Sequence, residues 1–168
     1  MGTPETGSAA VTDTDALRRT FSYFPSGVVA VAAVVDGLPS GIAASSFTSV
    51  SLDPPLVSVY IADTSTTWPS LRQAGTIGIS VLAEHQTDTA TQFASKTRDR
   101  FAGLAWEAGP GGAILLSGSA AWFECSLHDE IRTGDHILAL LRIHTHSGDA
   151  DLDPLVFHRS GFRSLRTT

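Results

Sequence analysis

The apolar positions of this chain change period several times, and each change marks a predicted element. Leu17, Phe21 and Phe24 recur at helical spacing behind Asp13 and Thr14, residue types that cap helix starts, so a short amphipathic helix is predicted to end before Pro25. Val28 to Val35 is a continuous run of valine and alanine closed by Asp36-Gly37, the pattern of a buried strand entering a hairpin. Its return strand is predicted over Gly41 to Val50. Asp53-Pro54-Pro55 predicts an extended corner, followed by a strand from Leu56 to Ala62 with Val57, Val59 and Ile61 on one face. Thr64 to Thr67 reads as a loop leading into a short helix over Pro69 to Ala74. Ile77 to Leu82 is again strand, and Glu84 to Ala94 is helix with Ala90, Phe93 and Ala94 on one side. Gly109 to Gly112 is a turn. Ile114 to Leu127, Ile137 to Thr145 and Leu155 to His158 supply the remaining strands, with Thr133-Gly134 turning between the first two.

About six to eight strands and three helices, joined by short turns rather than helical crossovers, predict an all-β dominated fold, an antiparallel barrel rather than a doubly wound sheet. The 168 residues fit one domain, with residues 1–14, small, polar and acidic, expected as a disordered arm and residues 15–168 as the folded unit. Apolar residues make up 42% and charged residues 17%, which excludes a disordered polar chain or a coiled coil. The net charge of -6 argues against nucleic acid and anionic membranes as partners, because either needs a basic footprint. No apolar run approaches the length of a membrane span. The single cysteine, Cys125, closes no intrachain disulfide, so a reducing cytoplasm is the expected compartment.

Several chemistries are excluded by absent patterns. There is no phosphate-loop signature, no glycine fingerprint in a strand-to-helix turn, and no Gly-x-Ser-x-Gly elbow. His144 and His146 alternate along a strand and, with His128 or His158, suggest a metal site. The competing reading, a solvent-facing strand end, is preferred because no further ligand spacing supports a metal, and none is expected. More informative is a combination. Ser45, Ser46, Thr48, Ser49, Ser65, Thr66 and Thr67 are short hydroxyl donors, and Lys96, Arg98 and Arg100 form the densest positive cluster. Hydroxyls together with cations suit a phosphate ester. Phe47, Trp68, Phe93 and Phe101 are interleaved with these groups and suit either a plain core or the wall of a flat heteroaromatic ring. In Gly134-Asp135-His136 the glycine permits a turn and the histidine enters a strand, as a ligand contact or as a simple hairpin cap.

With these segments in hand, the sequence resembles the flavin reductase-like family, the short-chain NAD(P)H:flavin oxidoreductases of two-component monooxygenases. The resemblance runs from about Leu17 to Leu165. It rests on Phe24-Pro25-Ser26-Gly27-Val28, on the long segment from Gly41 to Leu56, on Ile79 to Gln86, on Phe93-Ala94 with Arg100 to Gly103, and on Gly134-Asp135-His136. It implies an FMN-binding split barrel, a six-stranded antiparallel Greek-key barrel with peripheral helices, assembled as a homodimer. It also implies that Ala44, Ser45, Ser46, Ser49, Val50 and Ser51 line the flavin ring and ribityl chain, and that Ser65, Thr66 and Thr67 touch ribityl or phosphate. Phe93, Ala94, Lys96, Arg98 and Phe101 would hold the phosphate end, and His136 would lie where the nicotinamide docks. Ala43 and Ala44 stand where many relatives have threonine or asparagine, which implies fewer hydrogen bonds to the flavin.

The activity so implied is reduction of FMN, or FAD, by hydride from NADH or NADPH, with transfer of reduced flavin to a monooxygenase. Two other functions suit the same fold: a non-catalytic flavin- or haem-binding module, and a flavoenzyme that keeps FMN bound and acts directly on an organic substrate.

Overall fold

The computed structural model describes residues 11–165; the expected arm over residues 1–14 lies largely outside that range. Among the described residues the helices are α1 (Thr14–Phe21), α2 (Trp68–Leu71) and α3 (Thr87–Ala94), the last preceded by a 3-10 turn at Glu84–Gln86. The first strands are β1 (Ser26–Gly27), β2 (Val29–Val35), β3 (Leu38–Ala44), β4 (Thr48–Leu52), β5 (Pro55–Ala62) and β6 (Ile77–Val81). They are followed by β7 (Trp106–Ala108), β8 (Ile114–Leu116), β9 (Ala121–Thr133), β10 (His136–Gly148), β11 (Val156–His158) and β12 (Gly161–Arg163).

Seven strands form one antiparallel sheet in the order β3-β2-β6-β9-β10-β5-β4. Its two outermost strands, β3 and β4, are consecutive in the chain and joined only by Ser45-Ser46-Phe47. In a flat sheet their axes would be about 29 Å apart, six spacings of roughly 4.8 Å. The link from Ala44 to Thr48 spans at most about 15 Å. The sheet must therefore curl until its edges approach. Ser46 marks the approach: its hydroxyl accepts the N–H of Tyr60 at 2.9 Å and donates to the Tyr60 carbonyl at 3.1 Å. Beyond this point β3 and β5 face each other without ladder hydrogen bonds, and the barrel is split there.

The sequence-predicted return strand over Gly41 to Val50 is thus two strands on opposite edges, broken where the chain crosses the opening. The strand predicted over Ile114 to Leu127 is also two, interrupted at Ser117 to Ala120, where Gly118 takes a φ of 76°. Asp53-Pro54 forms a two-residue hairpin turn rather than an extended corner, with Leu52 paired to Pro55. Other expectations hold. Asp36 and Gly37 both have positive φ (51° and 78°), the backbone that a two-residue hairpin needs.

The barrel interior is filled by one face of each strand, including Val29, Val31, Val57, Val59, Ile61, Ile77, Ile79 and Leu141, and closed at one end by Trp68 and Leu71. A second cluster packs Val28, Ala30 and Ala32 against Ala90 and Phe93 of α3 and against Phe101. Strand β2 is buried on both faces, which explains its unbroken apolar run. Helix α1 behaves differently. Asp13 caps it, accepting the Ala16 N–H at 2.9 Å, yet the helix buries none of its residues and Phe21 and Phe24 are exposed.

Candidate functional site

The split between β3 and β5 opens into a groove of about 350 Å³. Ile42 and Ala43 form one wall, Tyr60 to Ala62 the other, and the loop Thr64–Thr67 with Phe93, Ala94, Lys96 and Arg100 closes one end. Local sequence builds that end. The Ser65 N–H reaches the Ala62 carbonyl at 2.9 Å, turning the chain off β5, and the Ser65 hydroxyl accepts the Trp68 N–H at 3.2 Å as α2 begins. Pro69 tolerates the first turn, and buried Trp68 anchors it.

Arg100 organises the charged end. Its Nε donates to the Ser95 carbonyl at 2.8 Å, and one terminal nitrogen donates to the Gly41 carbonyl and to the Thr67 hydroxyl, the latter at 3.2 Å. Its other terminal nitrogen makes no hydrogen bond among the described residues and is available to an anion. Gly41 leaves room for the ring of Phe93 to pack against β3, because a Cβ there would lie 2.8 Å from that ring.

An apolar slot of about 180 Å³ continues from the groove and shares Ala43 and Ala94 with it. Val28, Ala44, Ser45, Ala90, Phe157 and Phe162 complete its walls. Beyond the charged end, Arg98 and Phe101 line a polar depression together with Thr66, Thr67, Lys96 and Arg100. One continuous cleft therefore runs from a greasy slot, past a row of hydroxyls, to a cationic pole. That sequence of surfaces fits a flat ring carrying a polyol chain and a phosphate.

The residues implied by the resemblance divide into groups. Ser65, Thr66, Thr67, Phe93, Ala94 and Lys96 line the groove, Ala44 and Ser45 line the slot, and Arg98 and Phe101 line the depression. Phe93 and Phe101 stack edge to face at 5.0 Å and are buried, so they act as the packed floor rather than as exposed stacking platforms. The Ser46 hydroxyl is committed to the Tyr60 peptide group. Ser49, Val50 and Ser51 do not line the groove. They lie on edge strand β4, where Ser49 pairs with Val57, about 17 Å along β5 from Ala62.

His136 stands beside the groove, directly opposite Ala62 across the β5–β10 pair, with its side chain partly exposed. Gly134, at φ 63°, makes the turn that delivers it. Its Nδ1 lies 2.7 Å from the Asp135 carboxylate, and this contact, with the charge beside it, holds the Asp135 carboxyl below its ordinary value. Arg100 belongs to the basic cluster legible in the sequence, but its pivotal place follows only from Gly41 lying across from it in the fold.

A larger cavity, about 540 Å³, lies at the opposite end of the β9–β10 hairpin. Glu107 and Asp149 line it and no lysine or arginine does, so it repels a phosphate ester. Among the described residues no three His, Cys, Asp or Glu side chains converge as metal ligands; His144 instead meets the Ser126 hydroxyl at 2.8 Å. Cys125 sits in the core, where burial and then the Glu124 charge push its thiol from 9.0 up to about 12, so it stays neutral and unreactive.

Comparison with known proteins agrees with this geometry. The family described as flavin reductase like domain matches residues 21–166. The chain is 43% identical over 160 residues to a "Probable flavin reductase" of Rhizobium meliloti, covering 95% of this chain and 51% of that protein. It thus spans about half the length of that relative. It is 35% identical to the "Flavin-dependent monooxygenase, reductase subunit HsaB" of Rhodococcus jostii, covering 95% of this chain and 84% of the relative. Among solved structures, the Streptomyces globisporus NADH:FAD oxidoreductase SgcE6, in complex with NAD and FAD fragments, superposes with a TM-score of 0.90 at 33% identity, covering 96% of this chain and 98% of that one. The split-barrel fold is therefore that of a known family, and this chain belongs to the flavin reductase-like domain family.

Proposed function

We propose that this chain reduces free FMN or FAD with NADH or NADPH and delivers the reduced flavin to a partner monooxygenase. The carrying observation is the cleft itself, whose apolar slot gives way to a pole of hydroxyls and cations as a flavin's ring gives way to its phosphate-ended tail. The flavin and nicotinamide rings supply the electronic chemistry of hydride transfer. The residues bind and orient. Lys96 and Arg100 neutralise the phosphate, Ser65, Thr66 and Thr67 donate hydrogen bonds to its oxygens, and Ala43 and Ala44 leave room for the ring against the β3 backbone. His136 orients the nicotinamide beside Ala62. The main catalytic task is holding the two rings roughly 3.5 Å apart, which needs no acid or base from the protein.

Thr64 and Thr66 are exposed and Ser65 and Thr67 only half-buried, which suits a flavin that leaves after reduction. The relative named as the reductase subunit of a flavin-dependent monooxygenase supports an oxygenase as the receiver. A homodimer is supported by the outer face of the sheet. Tyr60 and Ile131, both paired with Leu138, remain 43% and 47% exposed, and Leu52 at the β4 edge is 96% exposed. A reducing cytoplasm is supported by the free thiol of Cys125, and no helix among the described residues is long and apolar enough to cross a membrane.

Steady-state loss of reduced nicotinamide, followed by absorbance with each flavin added, tests the activity. Turnover that requires added flavin supports the reductase. A stable spectrum identifies a binding module instead, and turnover only with tightly co-purifying FMN and an organic acceptor identifies a self-contained flavoenzyme.

A further inference from the structure

Strand β9 carries a carboxylate where the barrel needs an apolar side chain. Glu130 pairs with the fully buried Ala139 and faces inward, with only a small part of its side chain exposed. An inward carboxylate is costly unless both oxygens are engaged. Both are. One accepts the indole N–H of Trp68 at 2.7 Å, and the other meets the guanidinium of Arg72 at 2.5 Å. Trp68 is in turn the residue whose backbone N–H is held by the Ser65 hydroxyl. A chain of contacts therefore runs from Glu130 through Trp68 to Ser65, the first groove-lining hydroxyl of the three.

The same hairpin grips the loop again at its start. The Asp63 N–H donates to the Asp135 carbonyl at 3.0 Å, and Arg132 pairs with the Asp63 carboxylate at 2.6 Å. The segment Asp63–Trp68 is thus tied at both ends to the β9–β10 hairpin, whose tip bears His136. Simple packing would be served by leucine at position 130. A glutamate that grips one indole and one guanidinium specifies the register of α2, and with it the placement of Ser65, Thr66 and Thr67.

We propose that Glu130 is a positioning residue: acting through Trp68, it fixes the hydroxyl loop that receives the flavin phosphate and couples that loop to the hairpin carrying the nicotinamide-side histidine. This rests on the reading of the groove as the flavin site.

Equilibrium titrations with FMN and with riboflavin, followed by flavin fluorescence, test it, because riboflavin lacks only the phosphate. Glu130→Ala is expected to weaken FMN binding roughly ten-fold, the scale of one lost charge-assisted contact, while changing riboflavin binding less than about two-fold. Glu130→Gln keeps an acceptor for the indole and is expected to restore most of the FMN affinity. The double variant Glu130→Leu with Trp68→Phe removes the carboxylate and the indole N–H together, and Arg72, whose side chain is 44% exposed, turns to solvent. No buried polar group is left unpaired, so the variant is expected to keep the fold but lose the preference for FMN. Hydrogen exchange across residues 63–72 of the apo protein is expected to quicken in Glu130→Ala and in the double variant. An FMN preference and exchange rate in both variants equal to those of the parent protein overturn the role of Glu130 alone. A parent protein that binds riboflavin as tightly as FMN overturns the phosphate groove and this proposal with it.

Discussion

At the scale of single residues, the site is built from groups whose roles depend on what they already touch. Ser46 and Ser65 are both short hydroxyls in polar stretches, yet Ser46 spends its hydroxyl on closing the barrel while Ser65 starts a helix at the groove. His136 is held by Asp135 on one ring nitrogen, and the other makes no hydrogen bond among the described residues and can face a ligand. His136→Ala is expected to raise the KM for the nicotinamide roughly ten-fold with kcat little changed, the signature of lost ground-state and transition-state binding together. Steady-state kinetics at saturating flavin measure it, and an unchanged KM refutes the orienting role. The chemistry-bearing residue types were legible in the sequence because hydroxyls and cations cluster there. Their sorting was not. Nothing in the spacing tells that Arg100 rather than Arg98 reaches the Gly41 carbonyl, or that the Ser46 hydroxyl is already satisfied, since both depend on strands distant in the chain.

At the scale of elements, sequence signals held where local chemistry decides and failed where topology does. The Asp36-Gly37 hairpin was legible because those residue types favour the positive φ values the turn requires. The β11–β12 hairpin was missed because Arg159 and Ser160 adopt the same region, φ 50° and 59°, without any such preference. The return strand from Gly41 to Val50 read as continuous because β propensity does not register a crossing between sheet edges. Close approach is another signal hidden in one letter. At Gly78 in β6, an added Cβ would meet the Ile114 carbonyl at 2.0 Å. Gly78→Ala is therefore expected to cost about 3 kcal/mol or more, the upper range of overpacking. Thermal unfolding should show a fall of several degrees, roughly 2–4 °C per kcal/mol for a chain of this size. An unchanged midpoint contradicts the packing described between β6 and β8.

At the scale of the whole molecule, one topological fact produces the site. Consecutive strands on opposite edges force the sheet to curl, the curl leaves β3 and β5 unpaired beyond Ser46, and the gap becomes the cleft. The same sheet presents Tyr60, Leu138 and Ile131 in a row on its outer face, which a second copy would cover. Ile131→Lys is expected to shift the protein from dimer to monomer in light scattering coupled to size exclusion; a parent protein already monomeric at micromolar concentration removes the homodimer from the proposal. The barrel class was legible from short turns and strand count, whereas the cleft is a property of strand order and was legible only through resemblance.

The most direct measurement is a pair of fluorescence titrations, FMN and riboflavin, against the parent protein and Arg100→Ala. A phosphate held at the cationic pole of the groove predicts that FMN binds the parent more tightly than riboflavin, and that Arg100→Ala weakens FMN about ten-fold or more while riboflavin stays within about two-fold. Equal effects on the two ligands, or none, would contradict the placement of the flavin in this cleft.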